Sequence, residues 1–400
     1  MEAHVLDRAH LPVSVLTEQV FGHLPRADQR YWAQAYLQGL LTTEGKKSVR
    51  RIAATVSDSP TASQSMHQFV NASPWEWSTA RAELLRWVER RLAPRAWVLD
   101  VAVLRKRGDH SCGVHRRFVP ASGRSVNCQL GVGAFLSTES DAVPVDWNLL
   151  LPGTWLDDRE RRSRVRIPEE STARTLEQHA LDLVDALTAG TQSSIPPVVA
   201  DLSYYSGATA LVRGLSQRSR DFVICLPGRT PVAPAGRSTA QDAYASEFPA
   251  AVEAQRFFAL KPVGHLRIET LGGREGRADR ASVMTAPVWL PGARLTPRSP
   301  HPTYRMFAVR PHAGRRVPRV WLTNMVHRRT EELAALTQFQ RRASGTVQNL
   351  ENDFGLLDFE GRSYPGWHHH MTLVSAAYAY ERLVLLGARL PSEPTLAYAS

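Results

Sequence analysis

From Ser14 to Leu92 the apolar positions recur at intervals of three and four, in QRYWAQAYLQGLL, KKSVRRIAATV and WSTARAELLRWVERRL. That is the period of helices that bury one face. Ser73 and Pro74, just before the last of these, mark its expected start. At Trp97 the period changes: WVLDVAVL is apolar and β-branched around one aspartate, the pattern of a strand covered on both faces. CGVHRRFV and VNCQLGVGAFL follow, split by the turn signal PASGRS, and the three runs read as a meander. DWNLLLPGTWLDDRERRSRVRIPEE reads as loop-rich and TLEQHALDLVDALTAG as a helix. IPPVVADLSYY is a second buried strand ending in an aspartate, followed by a helix, ATALVRGLSQRS, and a strand, DFVICLP.

Three strands, then helix, strand, helix and strand is the order of a ribonuclease-H-like α/β domain. In that fold Asp100, inside the first strand, and Asp201, at the end of the fourth, stand side by side. Residues 228–318 interrupt the pattern with many Pro, Gly and Arg residues and only short apolar runs such as HLRIETL, ASVMTAPVWL and YRMFAVRP. The stretch is too long for a loop in a compact domain, so it reads as an inserted β-rich subdomain. RVWLTN returns to strand character, RTEELAALTQFQRRASGTVQNLENDF is helical, and MTLVSAAYAYERLVLLG is a buried final helix. The expected organisation is a helical N-terminal domain over 1–94, a first part of the α/β core over 95–227, the insert over 228–318, and a second part of the core over 319–400.

With 43% hydrophobic and 22% charged residues in 400, the chain is long enough for two or three domains with a sizeable core. Lys and Arg exceed Asp and Glu by 49 − 38 = 11, and the cations recur along the whole chain. The excess points to a polyanionic partner, nucleic acid ahead of an anionic membrane surface, although a basic but otherwise ordinary enzyme has the same balance. Lys46, Lys47, Arg50 and Arg51 on the face of an N-terminal helix, and Arg105, Lys106 and Arg107 after the first strand, are candidate DNA contacts. The alternative for each group is a solvated face or turn. Cys112, Cys128 and Cys225 lack metal-ligand spacing and read as buried apolar residues of a reducing compartment. The N-terminus has no signal-peptide pattern and no 18-residue apolar segment occurs, so the expectation is a cytoplasmic protein without a membrane partner.

An aspartate inside an apolar strand is costly unless its charge is paired or metal-bound. Two of them on neighbouring strands suit Mg²⁺ or Mn²⁺, because substrate phosphates and water complete the shell. Two such ions about 4 Å apart would activate a water or 3′-hydroxyl and stabilise the leaving oxygen of a phosphodiester displacement. The alternative is that Asp100 and Asp201 are strand-end residues capped by backbone donors. His368, His369 and His370 are consecutive, spread around a helix and cannot all ligate one metal. Trp75, Trp77 and Trp87 read as core rather than as base-stacking platforms.

Several long motifs carry a resemblance: QRYWAQAYLQGLL, HQFVNASPW, WVLDVAVLRKRGDHSCGV, RSVNCQLGV with DWNLLLPGTW, VVADLSYYSG, WLTN and GLLDFEGRSYPGWHHHMTLVSAAYAY. Together they resemble the bacterial insertion-sequence transposases of the DDE superfamily, in the branch with a β-subdomain inserted in the catalytic domain. The resemblance implies metal-assisted DNA cleavage and strand transfer, a double-stranded DNA partner (transposon ends), a homodimer on paired ends, a DNA-binding role for the N-terminal helices, and Asp100 and Asp201 as metal ligands. The surroundings depart from the family pattern: Val101, Ala102 and Val103 follow the first aspartate, and Tyr204 and Tyr205 replace a glycine-containing turn after the second. The family's third acid follows an Arg by four residues and precedes a Lys by seven. Counted back from Gly355, those places are Gln340, Ser344 and Glu351. Glu351 lies two helical turns past Ser344 on the same face, about 10 Å along the axis. Three readings therefore stand: a DNA-binding protein with degenerate chemistry, an active transposase using Asp100, Asp201 and Glu351, and a transposase fold recruited to bind or transform a small molecule in a cleft lined by Val101, Val103, Tyr204 and Tyr205.

Overall fold

The computed structural model describes residues 12–119, 123–205, 207–235, 251–260, 264–271, 278–292, 302–311 and 319–386. Five helices open the chain: α1 (Val13–Phe21), α2 (Ala27–Thr42), α3 (Val49–Val56), α4 (Ala62–Asn71) and α5 (Trp77–Glu89). The start expected at Ser73 lies too early. Glu76 occupies the N-cap of α5, and the Ser73 hydroxyl instead accepts a 2.7 Å hydrogen bond from Gln29 Nε2 of α2.

The sheet begins with β1 (Ala96–Arg105), buried along nearly its whole length. β2 (His115–Val119), β3 (Arg124–Ser137) and β4 (Ala142–Leu149) follow. The meander differs from the expected one. β3, not β2, pairs with β1, and both β2 and β4 lie on the far edge of β3, β2 along its first half and β4 along its second. The second half of β4, from Asp146, falls in the segment read as loop-rich. Pro144 of β4 has no N–H to donate and stands at a register shift opposite Phe135, the position a proline in a strand takes.

Two short helices, α6 (Gly153–Leu156) and α7 (Arg159–Arg164), lead to α8 (Leu176–Gly190). Thr175 and Gln178 cap α8 reciprocally. Then come β5 (Val198–Ala200), α9 (Ala208–Gln217) and β6 (Phe222–Leu226). β5 runs parallel to both β1 and β6. The order β4, β3, β1, β5, β6, antiparallel then parallel and covered by helices, is ribonuclease-H-like.

Beyond β6 the described part of residues 228–318 contains β7 (Pro231–Pro234), β8 (Val252–Glu253), α10 (Ala254–Leu260), β9 (Gly264–Leu271), β10 (Ala278–Trp289) and β11 (Tyr304–Pro311). The rest of that stretch, residues 120–122, Ser206 and both termini lie outside the described residues. The strands described in this stretch extend the core sheet. β11 pairs with β12 (Val320–Thr323), which pairs with β6. The last described elements are α11 (Thr330–Asp353) and α12 (Tyr364–Tyr380), the latter continued by a π-helical turn to Leu386. Gly355, at φ +69°, ends α11 and lets Leu356 N–H reach the Leu350 carbonyl at 2.9 Å.

α12 joins the N-terminal helices to the sheet, and its three histidines are the connection. His368 stacks on Trp77, with ring centroids 4.6 Å apart, and His369 on Trp75 at 3.8 Å. His370 Nδ1 accepts from the Tyr36 hydroxyl at 3.0 Å while Nε2 donates to the Gly355 carbonyl at 3.2 Å. Buried Arg81 of α5 spreads its guanidinium over Asp146 and the Trp147 carbonyl of β4, and over Thr372, His368 Nδ1 and the His368 carbonyl of α12. The histidine run is thus packing. Burial holds His369 and His370 down to about 4 and about 3, so both stay uncharged at neutral pH.

Candidate catalytic site

β1 passes through the sheet between β3 and β5, with Asp100 opposite Gly133. A methyl group at Gly133 would come within 2.6 Å of the Trp147 ring, so glycine lets that indole close over the sheet beside the carboxylate. Parallel pairing aligns Leu99 with Ala200, and the next residue on each strand is an aspartate. Asp100 and Asp201 are therefore neighbours at the carboxyl end of β5, only 9% and 7% exposed.

Both carboxylates have protein partners. Asp100 Oδ1 accepts from Val101 N–H at 2.8 Å and Oδ2 from the Ser344 hydroxyl at 2.7 Å. Asp201 Oδ1 accepts from the Ser203 hydroxyl at 2.5 Å, and Oδ2 forms an ion pair with Arg319, the residue just before β12. Burial lifts the Asp100 carboxyl to about 7; its two hydrogen bonds oppose the rise and the Asp201 charge adds to it. At neutral pH the acid is divided between protonated and ionised forms.

α11 lies over β1 and carries the three positions counted back from Gly355. Gln340 is buried, and its Oε1 accepts from Asp201 N–H at 3.1 Å. Ser344 meets Asp100. Glu351 is half-buried farther along the strand, where Arg105 is the charge that acts on it; burial raises its carboxyl and Arg105 opposes that. The helix thus brings Gln340 and Ser344 to the aspartates and leaves Glu351 beside the end of β1.

This donor set is a poor fit to a divalent cation as it stands. A cation site needs carboxylate oxygens free to bind it, and here a guanidinium, two hydroxyls and the backbone amides of Val101 and Ser203 take them. Among the described residues no group of three His, Cys, Asp or Glu side chains converges on one point.

The basic candidates separate. Lys46, exposed, is paired with Glu360 at 2.7 Å. Lys47 is buried with its ammonium on the Thr43 carbonyl and its N–H on Asp358, which corrects the expectation that it lies on an exposed face. Both precede α3 rather than lying on it, whereas Arg50 and Arg51 on α3 are exposed. Arg105 and Arg107 are also exposed, and half-buried Lys106 donates to the Phe359 carbonyl at 2.9 Å. Of the tyrosines after Asp201, Tyr204 is exposed, with the Arg319 guanidinium 5.9 Å from its ring. Tyr205 lies under Arg117, which also donates to the Tyr205 carbonyl at 3.1 Å. Sequence reasoning missed Arg319, Ser203 and Arg117. Arg319 stands just before the buried run VWLT, but no spacing in the sequence ties any of the three to the aspartates.

Among curated proteins no relative matches the chain. Residues 19–249, more than half of it, match the family described as DDE superfamily endonuclease. With two aspartates side by side on the central strands of a ribonuclease-H-like sheet, the chain belongs to the DDE superfamily of transposase-like endonucleases.

Proposed function

We propose that this chain binds double-stranded DNA as a transposase-like protein and that its phosphodiester chemistry is weakened or lost. The observation that carries the reading is the Ser344 hydroxyl on Asp100 Oδ2. At the place where the family resemblance calls for a third acid, a neutral donor satisfies the first one. The Arg319 pair on Asp201 acts the same way, supplying from the protein the positive charge that cleavage would draw from a metal. Losing one interacting member of a catalytic set commonly costs on the order of 10³-fold or more in rate.

What remains favours binding. The net charge of +11 is spread along the chain, and Arg50, Arg51, Arg105 and Arg107 are exposed where they can meet phosphates, Arg51 with one N–H on the Glu44 carbonyl at 3.0 Å. The test is duplex binding by the full chain across a salt series, with and without Mn²⁺. Expected is a steep linear fall of log affinity with log salt in either condition. Binding that requires Mn²⁺, or no binding at all, contradicts the proposal.

A further inference from the structure

We infer that the ribbon formed by β2 and the first residues of β3 is a docking arm for duplex DNA, with Phe118 as its apolar wedge and Arg116 as its phosphate contact. The inference rests on the DNA-binding reading and gives it a place on the molecule. β1 ends at Arg105, opposite Cys128, and Lys106 N–H still reaches the Asn127 carbonyl at 2.9 Å; beyond that, Arg124 to Val126 of β3 pair with β2 and extend past the end of β1. The result is a narrow two-stranded ribbon, the shape that a DNA major groove admits.

Its two faces differ. On one, Arg117 is tied to Tyr205, four residues past Asp201, by the 3.1 Å hydrogen bond and the stacked ring. That contact fixes the ribbon to the catalytic loop. On the other face Arg116 stands opposite Asn127 and Phe118 opposite Ser125. Phe118 is 57% exposed, far from the usual state of a phenylalanine. A cation, an aromatic ring, an amide and a hydroxyl on one exposed face match phosphate, base step and base edges.

Register relates this face to the site. Opposite residues share a face and alternate residues along a strand do too. Ser125, Asn127 and Gly133 are all odd steps of β3, so Phe118 and Arg116 lie on the same side of the sheet as Asp100. From Ser125 to Gly133 is eight residues, roughly 27 Å along the strand, or about eight base pairs of duplex at 3.4 Å each. Between Arg105 and Leu130 the chain has six Lys or Arg residues against one carboxylate, Asp109, and this complementarity selects a polyanion over a second copy of the chain.

The test is fluorescence anisotropy of a labelled duplex with the full chain across a salt series, comparing wild type, Arg116→Ala and Phe118→Ala. Both side chains are exposed, so thermal midpoints should match wild type. Arg116→Ala is expected to reduce the slope of log affinity against log salt by about one. Phe118→Ala should keep the slope and weaken binding roughly tenfold at every salt concentration. Wild-type binding with both variants indistinguishable from it overturns the arm and leaves the DNA-binding reading in place. Absence of wild-type binding overturns both. Loss of self-association in Phe118→Ala with DNA affinity unchanged makes the ribbon a contact between copies and overturns the proposal.

Discussion

Ser344 Oγ donates to Asp100 Oδ2 at 2.7 Å, tying the middle of α11 to the middle of β1. In the proposed reading this hydroxyl stands where the family resemblance calls for a third acid. Replacing Ser344 by Glu returns a carboxylate beside two others, and like charges held together bind a divalent cation to relieve their repulsion. Ser344→Glu is expected to gain a thermal shift in millimolar Mn²⁺ that wild type lacks. An equal response of the two proteins to Mn²⁺ contradicts this.

The ionisation of Asp100 should be visible in stability. Its folded value, about 7, lies above the ordinary carboxyl value near 3.9, so the unfolded chain releases this proton first as pH rises. The favourable contribution of the buried neutral acid is present below about pH 4 and is lost as pH rises through 7. Asp100→Asn lacks this loss. Relative to wild type it should therefore gain stability between pH 4 and pH 8, by a few kcal/mol at the upper end, read from urea midpoints. A difference that is flat across this range refutes the assignment.

Arg319 neutralises Asp201 from a half-exposed position. Arg319→Ala should lower the thermal midpoint by a few degrees in metal-free buffer, because a nearly buried carboxylate loses its cation. Mn²⁺ should recover part of that loss in the variant only. A variant as stable as wild type, or one that Mn²⁺ leaves unmoved, counts against the guanidinium as the charge that holds Asp201.

Arg81 ties α5 to both β4 and α12 through five hydrogen bonds. Arg81→Ala removes the cation from Asp146 and a donor from His368 Nδ1 and two carbonyls, although Asp146 keeps the Trp147 N–H and the His368 carbonyl keeps the Thr372 hydroxyl; breaking a buried pair this way costs about 3–5 kcal/mol. Arg81→Lys keeps the charge but not the fork that reaches β4 and α12 together, so most of the loss should persist. Chemical denaturation of both variants checks this.

Much of the fold was legible because burial writes itself as period. The helices around QRYWAQAYLQGLL and the strand around Asp100 announce themselves in this way, and the run before Asp201 places the second carboxylate. β4 was hidden because its second half opens the stretch from Asp146 whose later Pro, Gly and charged residues read as loop. The partner of β1 was misjudged because a ribbon and a meander share the same alternation of residues. At the site, counting back from Gly355 brought Ser344 to Asp100, since a continuous helix preserves spacing. Arg319 was not legible, because an ion pair between residues 118 positions apart leaves no periodic trace. The burial of Lys47 was missed for a similar reason: its hydrogen bonds are to Thr43 and Asp358, and neither is written in the local pattern.

The most direct measurement is cleavage of a labelled duplex in Mn²⁺ by wild type and by Asp100→Asn, at protein concentrations where binding is complete. The account predicts bound, uncut DNA with both proteins. Mn²⁺-dependent cutting by wild type that Asp100→Asn abolishes would contradict it and show that the paired aspartates still work as a nuclease.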